Sequence, residues 1–300
     1  MTPELERPIF FIGVPRSGTT IAFEAFARHP RLAWPTNYTA RFPALPQMGV
    51  VRRLLDNRMV RMFGRKGQHG RQVLGNRFLP MPNEAYEFWN RFADRHFAES
   101  YLDAPAGQRA RAQATRAVRA LAAWQGRSRF AAKLTGPPRI EFLSAIFPDA
   151  IFVHVVRDGR AVVHSLLNVR FWRDNGGMSA PFWKGGRAID PSENPGHDPA
   201  LLAAIQWRDI VLATRREASG LPAGQFLELR YEDFVKDPHA SISGVLHCCS
   251  LPHDTAVADY IEASPPMPAM NAKYLRAFSA VELAVLSRAM QPCLSMYGYD

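Results

Sequence analysis

Pro8-Ile-Phe-Phe-Ile-Gly13-Val-Pro-Arg-Ser-Gly18-Thr19-Thr20 is the stretch from which the fold is read. Its first half is a short apolar run ending at glycine, the pattern of a buried strand. Its second half has the spacing G-x-x-x-x-G followed by Thr-Thr. Ile21, Phe23 and Phe26 then recur at helical spacing until Pro30 stops the helix. Strand, glycine loop and helix in that order make an oxyanion cradle, with backbone N–H groups and a helix N-terminus facing the anion. Nucleotide P-loops place a lysine after the second glycine. Here Thr19 stands in that position, and the positive charge is inside the loop at Arg16.

The strongest strand pattern lies further on, at Ile151-Phe-Val-His-Val-Val156, and it runs directly into Arg157. In a phosphoryl-transfer enzyme the second strand would end in an aspartate that helps hold Mg²⁺. Asp158 does follow, but behind the arginine. A guanidinium at that mouth attracts a second phosphate, and Ser165, two turns along the next helix, can reach the same anion. The pair of motifs suits a nucleotide with two separate anionic ends and no obligatory metal, a description that 3′-phosphoadenosine 5′-phosphosulfate (PAPS) fits. A P-loop kinase with an altered lysine is the rival reading.

Further strands are predicted at 130–134 and 225–231, and helices over 50–63, 83–98, 105–126, 140–147, 158–172 and 201–218, with a mostly helical remainder. A long Gly- and Pro-rich loop is expected over 173–199. Short apolar strands alternating with helices predict an α/β fold, a P-loop-like parallel sheet flanked by helices on both faces. Residues 1–300 read as a single domain, in which 35–130 form a largely helical and loop insertion over the acceptor side.

Three segments together resemble the sulfotransferase superfamily. They are Pro15-Arg-Ser-Gly-Thr-Thr20, Val156-Arg-Asp-Gly-Arg-Ala161 with Ser165, and Leu229-Arg-Tyr-Glu-Asp-Phe234 ending in Asp237-Pro238. The arginine form of the loop is more similar to bacterial and tyrosylprotein-type members than to cytosolic animal ones. The resemblance implies PAPS as co-substrate, with Arg16, Ser17, Gly18, Thr19 and Thr20 on the 5′-phosphosulfate. It places Arg157 and Ser165 on the 3′-phosphate, Tyr231 near the adenine, and Lys133 beside the transferring group. Lys273 and Arg276 are the candidates for the basic segment that completes the 3′-phosphate site. Two familiar bases are replaced: Thr135 stands where cytosolic members carry histidine, and Asn37 where tyrosylprotein-type members carry glutamate.

An acceptor hydroxyl must lose a proton as it is sulfated, so a carboxylate or imidazole is needed nearby. Asn83-Glu-Ala-Tyr-Glu87 reads as a helix N-terminus with Asn83 as its cap, so Glu84 and Glu87 would share a face. Glu84 is the preferred base. Its alternative is a first-turn acid that favours the helix dipole. His69, in Gly67-Gln-His-Gly70, and His96 are further options. His29 reads as a helix C-cap, and His154 and His164 as packed residues. Trp34, Tyr38, Phe88, Trp89, Phe171 and Trp172 could line an acceptor pocket. No histidine or cysteine spacing marks a metal site.

The chain of 300 residues carries a net charge of +10, unevenly spread. Between Arg41 and Arg77 nine Lys/Arg face one acid, Asp56, and from Ala104 to Ile140 there are eight bases and no acid. Such fields draw anions, which keeps open a non-catalytic polyanion-binding protein, though no nucleic-acid module is recognisable. An inactive member of the family is a third reading. Cys248, Cys249 and Cys293 cannot all pair within the chain, and no apolar run reaches membrane-spanning length. A cytoplasmic protein is therefore expected, with peripheral membrane contact open and a small-molecule, glycan or lipid acceptor.

Overall fold

The computed structural model describes residues 6–57, 59–62, 64, 78–98, 101–102, 104–174, 190–264 and 270–299. Five strands form one parallel sheet: β1 (Ile9–Gly13), β2 (Leu32–Ala33), β3 (Arg129–Thr135), β4 (Ile151–Val156) and β5 (Phe226–Arg230). Their order is β2-β3-β1-β4-β5, with β1 in the middle. The register sets Gly13 beside Thr135 and Val156 beside Arg230, so four strands end along one edge.

Both faces of the sheet are apolar because each strand is covered twice. Phe10, Ile12, Phe130, Leu134 and Phe152 point one way, into a core shared with α4 (Tyr86–Phe92), α5 (Gln108–Gln125) and α6 (Ile140–Ile146). Ile9, Phe11, Ala131, Val153 and Val155 point the other way, against α1 (Thr19–Phe26), α11 (Pro238–Cys248) and α12 (Thr255–Glu262). A third cluster joins α7 (Gly159–Leu167), α9 (Pro199–Ala218) and α14 (Ala280–Ala289). The remaining helices are α2 (Asn37–Arg41), α3 (Gly49–Leu55), α8 (Arg170–Asp174), α10 (Tyr231–Lys236), α13 (Tyr274–Ala277) and α15 (Cys293–Met296). No helix among the described residues is long and apolar enough to cross a membrane.

The expected parallel sheet and its flanking helices are present, but several boundaries move for local reasons. The helix expected over 83–98 is only α4. The Asn83 side chain accepts from Ala85 N at 2.8 Å and Ala85 takes a left-handed φ of 47°, so the helix starts three residues later. Glu84 thus lies in the turn before the helix, and it does not share a helical face with Glu87. The helix expected over 158–172 is split into α7 and α8. The Asn168 side chain takes the His164 carbonyl at 2.7 Å and ends the first piece. The helix expected over 50–63 stops at Leu55, and the chain turns back in a tight hairpin bridged between Asp56 and Arg61. The two-residue strand β2 has no sequence signal of its own. His69 and most of the Gly- and Pro-rich loop, 175–189, lie outside the described residues.

Candidate donor and acceptor site

At the end of β1 the chain turns sharply. A Cβ on Gly13 would collide with the Val155 carbonyl oxygen of the neighbouring strand, so the loop leaves the sheet where only glycine fits. Ser17 N donates to Val14 O at 3.1 Å, which closes the turn. Arg16 has φ 75° and Gly18 φ 91°, both left-handed. For arginine that conformation costs about 1–2 kcal/mol, a strain typical of functional loops. Gly18 then caps α1 without a side-chain hydrogen bond, and no acid occupies the first turn of that helix. Backbone donors and the positive end of the helix dipole therefore converge there with no built-in anion.

The second motif meets this loop. Arg16 Nε donates at 2.9 Å to the Oγ of Ser165, in the last turn of α7. Arg157, at the end of β4, is buried and donates through Nη1 to the Arg16 carbonyl at 3.2 Å. Its guanidinium lies 4.3 Å from the centre of the Tyr231 ring. That ring also packs so closely on Gly18 that a Cβ there would strike it. Burial draws the Arg157 pKa below the usual guanidinium value, a shift opposed by Tyr231 and Glu232. A desolvated cation beside another cation is stabilised by an incoming anion.

Arg157 Nε donates to Asn271 Oδ1 at 2.9 Å, and Asn271 Nδ2 donates to Glu232 Oε1. Glu232 also accepts from Asp158 N at 3.2 Å and from the Tyr299 hydroxyl at 2.6 Å. It thus ties the start of α7 to the C-terminal segment. Lys273 and Arg276 lie exposed on the same stretch of chain as Asn271, which is the residue that reaches Arg157.

A third group sits at the end of β3. Lys133 Nζ donates to Thr20 Oγ1 at 2.9 Å and lies 3.4 Å from Glu84 Oε1. Thr135 Oγ1 donates to the same carboxylate oxygen at 2.5 Å. The Tyr86 hydroxyl donates to Thr135 O at 2.7 Å and accepts from Thr135 N at 2.9 Å, pinning the turn that carries Glu84 to the strand end. Burial, with the charge of Glu84 second, pushes the Tyr86 hydroxyl pKa upward. Arg139, buried behind this group, donates to Phe97 O at 2.7 Å and to Pro137 O at 2.6 Å.

All the loop residues, Lys133, Glu84, Arg157, Ser165 and Tyr231 therefore gather on one edge of the sheet. Several other candidates lie elsewhere. His29 joins the end of α1 to Pro252 O at 3.1 Å, taking Arg31 N on its other nitrogen. His154 pairs with Glu228 under the sheet, and His164 lies edge-on to Phe278. Trp34, Phe88, Trp89 and Trp172 are buried core residues. Asn37 holds the backbone of Leu79 and Met81 through its amide. The sequence alone does not reveal the bridging roles of Asn271, Glu232 and Tyr86. Glu232 and Tyr86 lie inside recognisable motifs, whereas nothing around Asn271 distinguishes it from a loop polar residue.

Residues 8–255 match the model of a sulfotransferase family. The omega-hydroxy-beta-dihydromenaquinone-9 sulfotransferase Stf3 of Mycobacterium bovis is 27% identical over 262 residues, covering 78% of this chain and 60% of its own. An uncharacterized protein of Aquifex aeolicus is 23% identical over 279 residues, covering 90% of this chain and 29% of its own. The chain thus spans less than two thirds of either relative. Among solved structures, sulfotransferase STF9 from Mycobacterium avium superposes with a TM-score of 0.60 at 17% identity, over 98% of this chain and 77% of that one. The sulfotransferase domain from the curacin biosynthetic pathway gives 0.58 at 14% identity, over 99% of both chains. With the family model matched across the sheet, the loop and both arginine motifs, the chain belongs to the sulfotransferase family.

Proposed function

We propose that the chain transfers a sulfuryl group from PAPS to a hydroxyl or amine acceptor by in-line, metal-independent displacement. The observation that carries this reading is Lys133, whose ammonium touches Thr20 of the anion loop and lies 3.4 Å from the Glu84 carboxylate. One cation thereby links a nucleotide-binding loop to a candidate general base.

The residues present fit the donor. The backbone N–H groups of Ser17–Thr20, with Arg16, hold the 5′-phosphosulfate. Arg157 and Ser165 hold the 3′-phosphate, Tyr231 flanks the adenine, and Lys273 and Arg276 lie on the chain segment beside Asn271. PAPS supplies an activated sulfuryl group whose S–O bond to the 5′-phosphate breaks as the acceptor oxygen or nitrogen bonds to sulfur, releasing adenosine 3′,5′-bisphosphate. Arg16, Lys133 and the loop amides stabilise the charge that develops on the leaving side. Glu84 accepts the acceptor's proton at Oε1 or Oε2. Thr135 and Lys133 hold that carboxylate in place, so Thr135 serves the base instead of replacing it.

We read the whole chain as one domain in which 35–130 cover the acceptor side. The name of the Stf3 relative, a sulfotransferase of a hydroxylated dihydromenaquinone, supports a hydroxyl acceptor and keeps lipids among the candidates. Family membership and the cation at Arg157 favour this reading over a P-loop kinase or a polyanion-binding protein.

Titration calorimetry with adenosine 3′,5′-bisphosphate, against ATP with and without Mg²⁺, tests the proposal. Binding of the bisphosphate in the presence of a chelator, lost in Arg157→Ala, is the expected result. Binding of ATP only with Mg²⁺ would overturn it in favour of a kinase.

A further inference from the structure

Large apolar side chains that remain in water are unevenly distributed. Among the described residues, eight of the twelve exposed ones fall between Phe42 and Phe78 or at Trp124. Leu54 is 66% exposed, Met59 95% and Met62 49%, with Val60 between them, and Trp124 is exposed on the neighbouring helix α5. Isolated exposed hydrophobics need no explanation, but several on one short segment, beside a helix that also exposes a tryptophan, suit an interaction surface.

Packing and hydrogen bonds position these residues. Helix α3 lies close on α5, with Gly49 against Leu121 and Gln125 and the Arg53 side chain over Gly126. Hydrogen bonds cross the hairpin beyond α3. Asn57 N donates to Val60 O at 2.7 Å, Asn57 Oδ1 accepts from Met59 N and Val60 N, and Met62 N donates to Leu55 O at 2.7 Å. Asp56, the acid of this region, is consumed internally: Arg52 contacts it at 3.1 Å and Arg127 at 3.7 Å. Meanwhile Arg53, Arg61, Arg116 and Arg119 are exposed on the same α3–hairpin–α5 unit.

We propose that this unit docks the protein on an anionic phospholipid surface, the hairpin tip entering the headgroup layer and the arginines contacting lipid phosphates. Apolar exposure and charge select that occupant. Leu54, Met59, Val60 and Met62 are apolar and exposed, which suits a deformable lipid layer, and the exposed charges described beside them are all arginines, which suits anionic headgroups. Nucleic acid would use the arginines and leave Met59 and Leu54 in water. Exposure and charge alone support the docking, whether or not the sulfuryl-transfer chemistry is correct.

The test is sedimentation of the full chain with vesicles of phosphatidylcholine alone and of phosphatidylcholine with phosphatidylglycerol. Binding should require phosphatidylglycerol and weaken with salt. The pair Leu54→Asp and Met59→Asp should reduce it on the order of tenfold. The pair Arg116→Glu and Arg119→Glu should reduce it by about tenfold and flatten the salt dependence. A thermal melt of each variant checks folding. Fluorescence quenching by brominated lipid in the unaltered chain, reduced in Trp124→Phe, gives a readout independent of the charge and tip variants. Absence of binding to phosphatidylglycerol vesicles, or unchanged binding by the Leu54/Met59 variant, would overturn the proposal. So would a lipid-free dimer that Met59→Asp disperses, since the occupant would then be a second copy.

Discussion

The Nε–H of Arg16 donates to the hydroxyl of Ser165 at 2.9 Å, across 149 residues of sequence. This bond makes the anion loop and α7, the helix that follows Arg157, one surface instead of two. It also holds the Arg16 side chain in the direction that its left-handed backbone sets. Ser165→Ala removes a charge-assisted bond, which is worth about 1.5–3 kcal/mol. Bisphosphate affinity measured by calorimetry should fall by roughly tenfold or more. Undiminished affinity in Ser165→Ala would mean that the hydroxyl serves only to orient the free protein.

Glu84 accepts from Thr135 at 2.5 Å and faces Lys133 at 3.4 Å, so its carboxylate is held from two sides. Glu84→Gln should lower kcat by about 10²–10⁴-fold, the usual span for loss of a general base, while bisphosphate binding is kept. Thr135→Val should produce a smaller loss, because it frees the carboxylate without removing it. Joint loss of turnover and nucleotide binding in Glu84→Gln would instead assign Glu84 a structural role.

Gly18 combines a φ of 91° with contact against the Tyr231 ring. Gly18→Ala therefore meets both backbone strain and a collision, and should cost about 1–3 kcal/mol along with much of the nucleotide affinity. Adding Tyr231→Ala would relieve the collision but not the strain, so a double-mutant cycle separates the two. A coupling energy near zero would show that the ring does not press on the loop.

The sheet and the anion loop were legible because their signals are local. An apolar run ending at Gly13 and a second one ending at Arg157 each define a strand and the turn at its end. The meeting of Lys133, Thr20 and Glu84 was legible only in part. Glu84 stood out as an acid in a basic region, but its setting depends on Ala85 taking a left-handed conformation, which alanine rarely adopts. The tie from Arg157 to Asn271 was not legible at all, since it depends on how the C-terminal segment packs back under Glu232. The hairpin between Asp56 and Arg61 was hidden by an apolar pattern that suits a longer helix. Asn57, whose side chain captures two backbone N–H groups, ends that helix by competing for the chain.

Glu228 anchors the C-terminal segment to the edge strand β5. Its carboxylate accepts from Arg215 at 2.7 Å, from the Tyr297 hydroxyl at 2.5 Å, and lies 3.3 Å from His154 Nδ1. Burial alone would raise its pKa. The hydrogen bonds from His154 and Tyr297, with the charges of His154 and Arg215, outweigh burial and hold it below the ordinary value of 4.5. A carboxylate with a lowered folded pKa stabilises the protein above its unfolded pKa, and that contribution is lost as pH falls through the folded value. In that acid window the unfolded chain binds more protons, so stability rises with pH. Glu228→Gln should therefore cost about 1–3 kcal/mol in urea unfolding near neutrality. The gap between variant and parent should then narrow as the pH drops below the ordinary carboxylate range. A gap that stays constant from neutral to acid pH would show that the charge on Glu228 contributes nothing, and that only its shape holds Tyr297 in place.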